Sequence, residues 1–281
     1  MNKREKIVLV PVDFTKEAEV AMDHAFGFAK LKSWSVMLLH VINAETKSKL
    51  KKEAKDIEDI NKDLALIAEK AKETHGIEVD FMTQEGSIFN EISSVCEEIK
   101  ARIVFMGTHG KVGIQKFIGS YALKVITSSK VPFIVVQDKA FGEGYKNLVI
   151  PIDDSPYSSQ KASWAMYIAK IFNSKLHFVV AYNSIIAIKA RVNAMVSRIE
   201  RFLVENNIQY EIIQAEKGGS FPKQIIDYSK SISADMITIM TEKQTAIPGF
   251  MFTKWQESIL FNEEKMPVMC INPVEVNFVF I

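Results

Sequence analysis

The residues of this chain whose types and spacing can hold an anion sit in two places. Asp13 ends the apolar run IVLVPVDF (7–14), with Pro11 and Val12 before it. Much further on, Met106-Gly107-Thr108-His109-Gly110 follows another apolar run, and Gly119-Ser120 stands at the start of the next helical segment. Glycine lets backbone N–H groups approach a phosphate, and a helix N-terminus carries partial positive charge. The Ser120 hydroxyl adds a donor. Asp13, facing the same crevice, suits a ribose or adenine edge, or a metal ion held near phosphates. His109 has no identifiable Ser, Cys or carboxylate partner, so it reads as a ligand contact rather than a general base.

The chain then says nearly the same thing again without the glycines. LVIPIDD (148–154) repeats the first run and ends in Asp153, but Met240-Thr-Glu-Lys243 and Lys254-Trp255 stand where Gly107, Gly110 and Gly119-Ser120 stood. Side chains at those points obstruct a phosphate, although Lys243 or Lys254 can still attract an anion. Gly218-Gly219-Ser220 matches Glu85-Gly86-Ser87 and reads as a structural turn. The expectation is one ligand-competent half and one degenerate half.

The elements that must position these residues follow from periodicity. Continuous Val/Ile-rich runs at 6–12, 35–42, 101–106 and 132–136 suit buried parallel strands, with a shorter strand at 78–83. Between them lie helical patterns. One follows Thr15, with Asp13 or Thr15 as its cap; a long amphipathic helix covers 46–74; others cover 88–99 and 120–128. The second half repeats the order with strands at 147–152, 175–182, 209–214, 235–240 and 267–271 and helices at 157–171, 185–206, 221–231 and near 254–262. Alternating strands and helices imply two tandem doubly wound parallel five-stranded sheets with helices on both faces. The expected domains are 1–140 and 147–273, joined by the glycine-bearing stretch 141–146 and followed by an extension, 274–281, that can add an edge strand. Strands 132–136 and 267–271 are expected to pack the repeats as an internal pseudo-dimer.

The bulk numbers narrow the function. A chain of 281 residues, 48% apolar, suits two domains of about 140 residues each. With 35 Lys+Arg against 34 Asp+Glu it lacks the basic excess of a nucleic-acid binder or a membrane-surface protein. Cys96 and Cys270 form no CxxC pair and read as core residues. MNKREK shows no signal peptide, and no apolar run approaches the roughly 20 residues of a membrane span, so a cytoplasmic location is expected. His40 reads as a packed core histidine, the Lys-rich run 47–55 as a solvated helix face, and Trp34, Trp164 and Trp255 as packing residues.

The VPVDF start, EGSIFNEI (85–92), the MGTHG turn and GSYALKVITSSKVPFIVV (119–136) together resemble the universal stress proteins, with the whole chain similar to two such domains in tandem. Nucleotide-binding members carry Gly, two residues, Gly, nine residues, Gly, then Ser or Thr; here eight residues separate Gly110 from Gly119-Ser120. The resemblance implies an adenine-nucleotide-hydrolase-like fold and ATP or a related adenine nucleotide with Mg²⁺ in the first half. Asp13 and the backbone of Val41 would lie at the adenine, Gly107, His109 and Gly110 near ribose and phosphates, and Gly119 and Ser120 at the phosphate tail. The leading expectation is a stress-response regulatory module read by a protein partner, as a monomer or a homodimer. A nucleotide-independent scaffold and a slow ATP-hydrolysing enzyme are the alternatives. The chain has no GxxxxGK[ST] motif, and no arginine lies near the loop to assist phosphoryl transfer.

Overall fold

The computed structural model describes residues 6–108, 116–243 and 250–274. The chain divides into two compact units, Met1–Gly142 and Glu143–Ile281. The first runs β1 (Ile7–Pro11), α1 (Lys16–Lys32), β2 (Ser35–Ile42), α2 (Ala44–Glu53), α3 (Ile57–His75), β3 (Val79–Glu85), α4 (Ile88–Glu98), β4 (Ile103–Gly107), α5 (Lys116–Ser128) and β5 (Phe133–Val136). Its strands lie in the order β3-β2-β1-β4-β5, all parallel. Val8, Leu9, Val10, Val104 and Phe105 are wholly buried. This is why the central strands read as unbroken apolar runs: both of their faces are covered by helices.

The helices begin and end by local chemistry. Thr15 caps α1, its Oγ1 accepting from the Ala18 N–H at 3.2 Å, and Ser33 closes the helix in the left-handed conformation. The single helix expected over 46–74 is two. α2 ends where Ala54 turns left-handed, at φ 52°. Asp56 then restarts the chain as α3 through a reciprocal capping box: its carboxylate accepts from the Asp59 N–H at 3.2 Å, and the Asp59 carboxylate accepts from the Asp56 N–H at 3.1 Å. The break leaves α2 without a single buried residue.

The second unit repeats the plan as β6 (Asn147–Ile152), α6 (Ser158–Phe172), β7 (Lys175–Val180), α7 (Ile186–Glu205), β8 (Tyr210–Gln214), α8 (Phe221–Ser231) and β9 (Met236–Met240). Two short strands, β10 (Glu242–Lys243) and β11 (Phe250–Met251), come next, then α9 (Lys254–Leu260) and β12 (Val268–Ile271). The parallel order is β8-β7-β6-β9-β12. The antiparallel pair β10–β11 is an addition to the expected plan. It stands where the first unit carries its glycine-bearing loop. The edge strand expected within 274–281 lies outside the described residues beyond Val274. No helix among the described residues is long and apolar enough to cross a membrane.

Candidate functional site

In the first sheet the chain builds outward from β1 to β2 and β3, then returns to lay β4 on the other side of β1. Loops leaving β1 and β4 therefore part in opposite directions at the carboxyl edge, where open α/β sheets bind ligands. A cavity of ≈ 530 Å³ opens there, within the range of small-molecule sites. Its wall contains Pro11, Val12 and Asp13 after β1, Val41 from β2, and Met106 and Gly107 from β4. Ala18 of α1 and Ile60 of α3 close one side, and Ile92 of α4 with Ala122 and Val125 of α5 close the other.

Of the residues singled out in the sequence, these six share the cavity. His109 and Gly110 lie outside the described residues. Gly119 and Ser120 lie within α5, which begins at Lys116 rather than at Ser120, so they belong to its first two turns instead of preceding them. Gly107 has a steric reason to be glycine. A Cβ there would stand 2.4 Å from the backbone carbonyl of Glu17 and 2.7 Å from the Ala18 nitrogen. The first turn of α1 rests directly on the end of β4.

Asp13 is fixed by its neighbour. Its Oδ1 accepts from the Thr15 N–H at 3.0 Å and from the Thr15 hydroxyl at 2.5 Å, so a metal ion or ligand would meet the other carboxylate oxygen. No cluster of three or more His, Cys, Asp or Glu side chains suited to a metal ion occurs among the described residues. Phe14 between them has φ 61°, a strained conformation for a bulky residue and a common one at functional sites. Its ring packs against the ring of His40, centroids 5.2 Å apart.

His40, Thr108 and Lys49 are wall residues that the sequence reading did not assign to a site. His40 is buried as expected of a core histidine, but only one of its nitrogens is satisfied. Nδ1 lies 2.7 Å from the Val12 carbonyl oxygen, while Nε2 is buried without a partner among the described residues. Burial holds the ring pKa below 6.5, against the upward pull of the Val12 carbonyl and Asp13, and Lys49 adds to the lowering. The Thr108 hydroxyl is likewise buried and unpartnered among the described residues. Lys49 reaches the wall from α2, inside the run read as a solvated face. A histidine at the end of a strand beside a candidate backbone contact, Val41, was the one signal available.

The second unit places different groups at the matching positions. The parallel registers Pro11↔Leu39 and Pro151↔Val179 make Val180 the counterpart of His40. Thr241 follows β9 as Thr108 follows β4, and its hydroxyl bonds to the Asn272 side chain and to the Ile271 carbonyl at 3.3 Å. Met240, 5% exposed, takes the place of Gly107, and Asp153 accepts from the Ser158 hydroxyl at 2.8 Å. Lys161 falls where α1 has Ala21 and is 2% exposed. Burial depresses its pKa below 10.5, opposed by the nearby charge of Asp153.

A model of the universal stress protein family matches residues 5–137. The universal stress protein MJ0577 of Methanocaldococcus jannaschii is 31% identical over 168 residues, covering 50% of this chain and 99% of that protein. Among solved structures, a universal stress protein from Archaeoglobus fulgidus aligns over 97% of this chain and 99% of its own, with TM-score 0.77 and 18% identity. The Pseudomonas aeruginosa protein PA1789 covers 96% of this chain and 93% of its own, with TM-score 0.69 and 16% identity. At that identity the likeness extends the fold, and the fold alone, across both units.

Proposed function

The chain belongs to the universal stress protein family, and from that premise we propose that its first unit binds ATP or a related adenine nucleotide as a regulatory module in a stress response. The observation that carries this reading is a ≈ 530 Å³ cavity at the switch point of the first sheet whose lining includes His40 and Thr108, each with a buried polar atom that has no partner among the described residues. Buried polar groups are almost always paired, so orphans gathered on one cavity wall suit a ligand that completes them.

In this reading Asp13 and the backbone of Val41 hold the adenine, with Pro11, Val12 and Met106 shaping the pocket around it. Gly107, His109 and Gly110 lie along the ribose and first phosphates, and Gly119 and Ser120 at the phosphate tail. Lys49, for which no ion pair is formed among the described residues, supplies a positive charge to the cavity wall. Mg²⁺ would neutralise phosphate charge when bound; the second Asp13 oxygen would serve that ion only as the alternative to holding the adenine. The second unit, with Met240 in place of Gly107 and Lys161 buried near Asp153, serves a structural or protein-binding role. A protein partner reads the nucleotide-loaded state, and the module acts without rapid turnover.

The test is isothermal titration of the full chain with ATP and Mg²⁺, after a check for co-purified nucleotide. The expected result is one site per chain, abolished in Gly110→Val. Absence of both binding and carried-over nucleotide overturns the reading and favours a nucleotide-independent scaffold.

A further inference from the structure

On the reading of this cavity as a nucleotide site, we infer that the bound nucleotide donates a hydrogen bond, from an amino or hydroxyl group, to Nε2 of His40. The Val12 carbonyl can only accept, so the 2.7 Å contact requires the proton on Nδ1. A neutral ring with its proton there presents Nε2 as an acceptor and nothing else. Nε2 is buried and finds no donor among the described residues, His40 lines the cavity, and its ring is contacted by the Val12 carbonyl and by Phe14.

Two further facts tie the unpaired nitrogen to this cavity. Thr108, just after the strand β4 that flanks β1 from the other side, also lines the cavity and has a second buried hydroxyl unpartnered among the described residues. The second unit, which shares the fold, has Val180 at the histidine position and pairs the hydroxyl of Thr241, so these two orphans do not recur at the matching positions, although Thr238 in β9 carries a buried hydroxyl with no partner among the described residues. Donors on an adenine nucleotide are the exocyclic amine and the ribose hydroxyls. A site with a fixed acceptor rejects an analogue that lacks the matching donor, because the acceptor is then left unpaired.

The experiment titrates the full chain and two variants with ATP and Mg²⁺, then with inosine, 2′-deoxy and 3′-deoxy triphosphates. His40→Asn keeps an amide near the Nδ1 position and removes the Nε2 acceptor; His40→Gln places an amide nearer Nε2. ATP affinity is expected to fall about tenfold in His40→Asn and to recover in part in His40→Gln. One of the three analogues should lose a similar factor against the wild-type chain and no further factor against His40→Asn, which identifies the donating group. In the wild-type chain the ¹⁵N resonance of His40 Nε2 should shift on saturation with ATP. Equal ATP affinity in wild type and His40→Asn overturns the inference while leaving the nucleotide site standing. If His40→Asn fails to fold, an unmoved Nε2 resonance at saturating ATP overturns it instead. A wild-type chain that binds no adenine nucleotide removes the underlying reading as well.

Discussion

The two units fold alike and treat their strand ends in opposite ways. In the first, Gly107 lets the first turn of α1 rest against β4, Ala21 sits wholly buried in α1, and His40 and Thr108 keep unpartnered polar atoms on a cavity wall. In the second, the corresponding positions hold Met240, Lys161, Val180 and a Thr241 whose hydroxyl is bonded to its own β12 edge. A doubly wound sheet needs some polar atoms at its carboxyl edge. At these positions the second unit satisfies or replaces them, while the first leaves them open to a ligand; the contrast is local, since Thr238 of β9 also has a buried hydroxyl with no partner among the described residues. The difference lies in a handful of side chains, while the strand order is the same in both units.

The harshest way to break the comparison is to exchange the residues at the helix seat. Gly107→Met gives the first unit the side chain of the second, but its Cβ must enter a space already filled by the Glu17 backbone at 2.4 Å. Backbone, unlike the end of a flexible side chain, cannot step aside without moving α1. The expected loss is about 3 kcal/mol or more, the upper end of overpacking. Urea unfolding measures it, and hydrogen exchange should place the loosened amides in α1 and β4. If Gly107→Met costs less than about 1 kcal/mol, the seat is not the constraint the structure describes.

The converse change in the second unit is gentler and depends on pH. Lys161 is almost fully buried, and burial depresses its pKa below the ordinary 10.5. Between the folded and unfolded pKa values the unfolded chain holds more protons, so stability rises with pH across that window. Below it the charged amine weighs fully against folding. Lys161→Met is therefore expected to stabilise the second unit by roughly 1–3 kcal/mol at pH 7, and the gain should shrink as pH approaches 10.5. Denaturant midpoints at pH 7 and pH 10 check this. A gain independent of pH would mean the lysine packs without bearing a burial penalty.

How much of this was legible beforehand depends on how local each cause is. IVLVP, SVMLLHVI and the other strands stood out because a strand buried on both faces must be apolar throughout, and that pattern alone led to the right sheet class. The break between α2 and α3 was missed because its box uses Asp at both ends, Asp56 and Asp59, where a Ser/Thr and Glu pair is the familiar sign. β10 and β11 are two residues each, too short for any periodicity. Gly107 was legible as a special glycine, but the atoms that demand it belong to Glu17 and Ala18, far away in sequence. Lys161 reads as one more helix-surface lysine, and nothing in its neighbours announces burial. The orphan atoms were the least legible. Thr108 and Thr241 are the same residue at the same place, and what separates them is that Asn272 and the Ile271 carbonyl lie within reach of the Thr241 hydroxyl.

That pair supplies the smallest and sharpest contrast. Thr241→Val deletes a hydroxyl that bonds to Asn272 and Ile271, so a hydrogen bond is lost among buried groups. The expected cost is about 1 kcal/mol. Thr108→Val deletes a hydroxyl that has no partner, and removing a buried unsatisfied group relieves its desolvation. Its expected effect on the ligand-free chain is zero or a stabilisation of a few tenths of a kcal/mol. Both changes are nearly equal in volume, so packing cancels between them and the difference isolates the hydrogen bond. Unfolding the two variants side by side in ligand-free buffer measures it, and repeating the measurement with ATP and Mg²⁺ should turn Thr108→Val from harmless to costly while leaving the Thr241→Val penalty unchanged. Equal penalties in the ligand-free chain would mean that Thr108 is already satisfied, and that the two strand ends do not differ at this position.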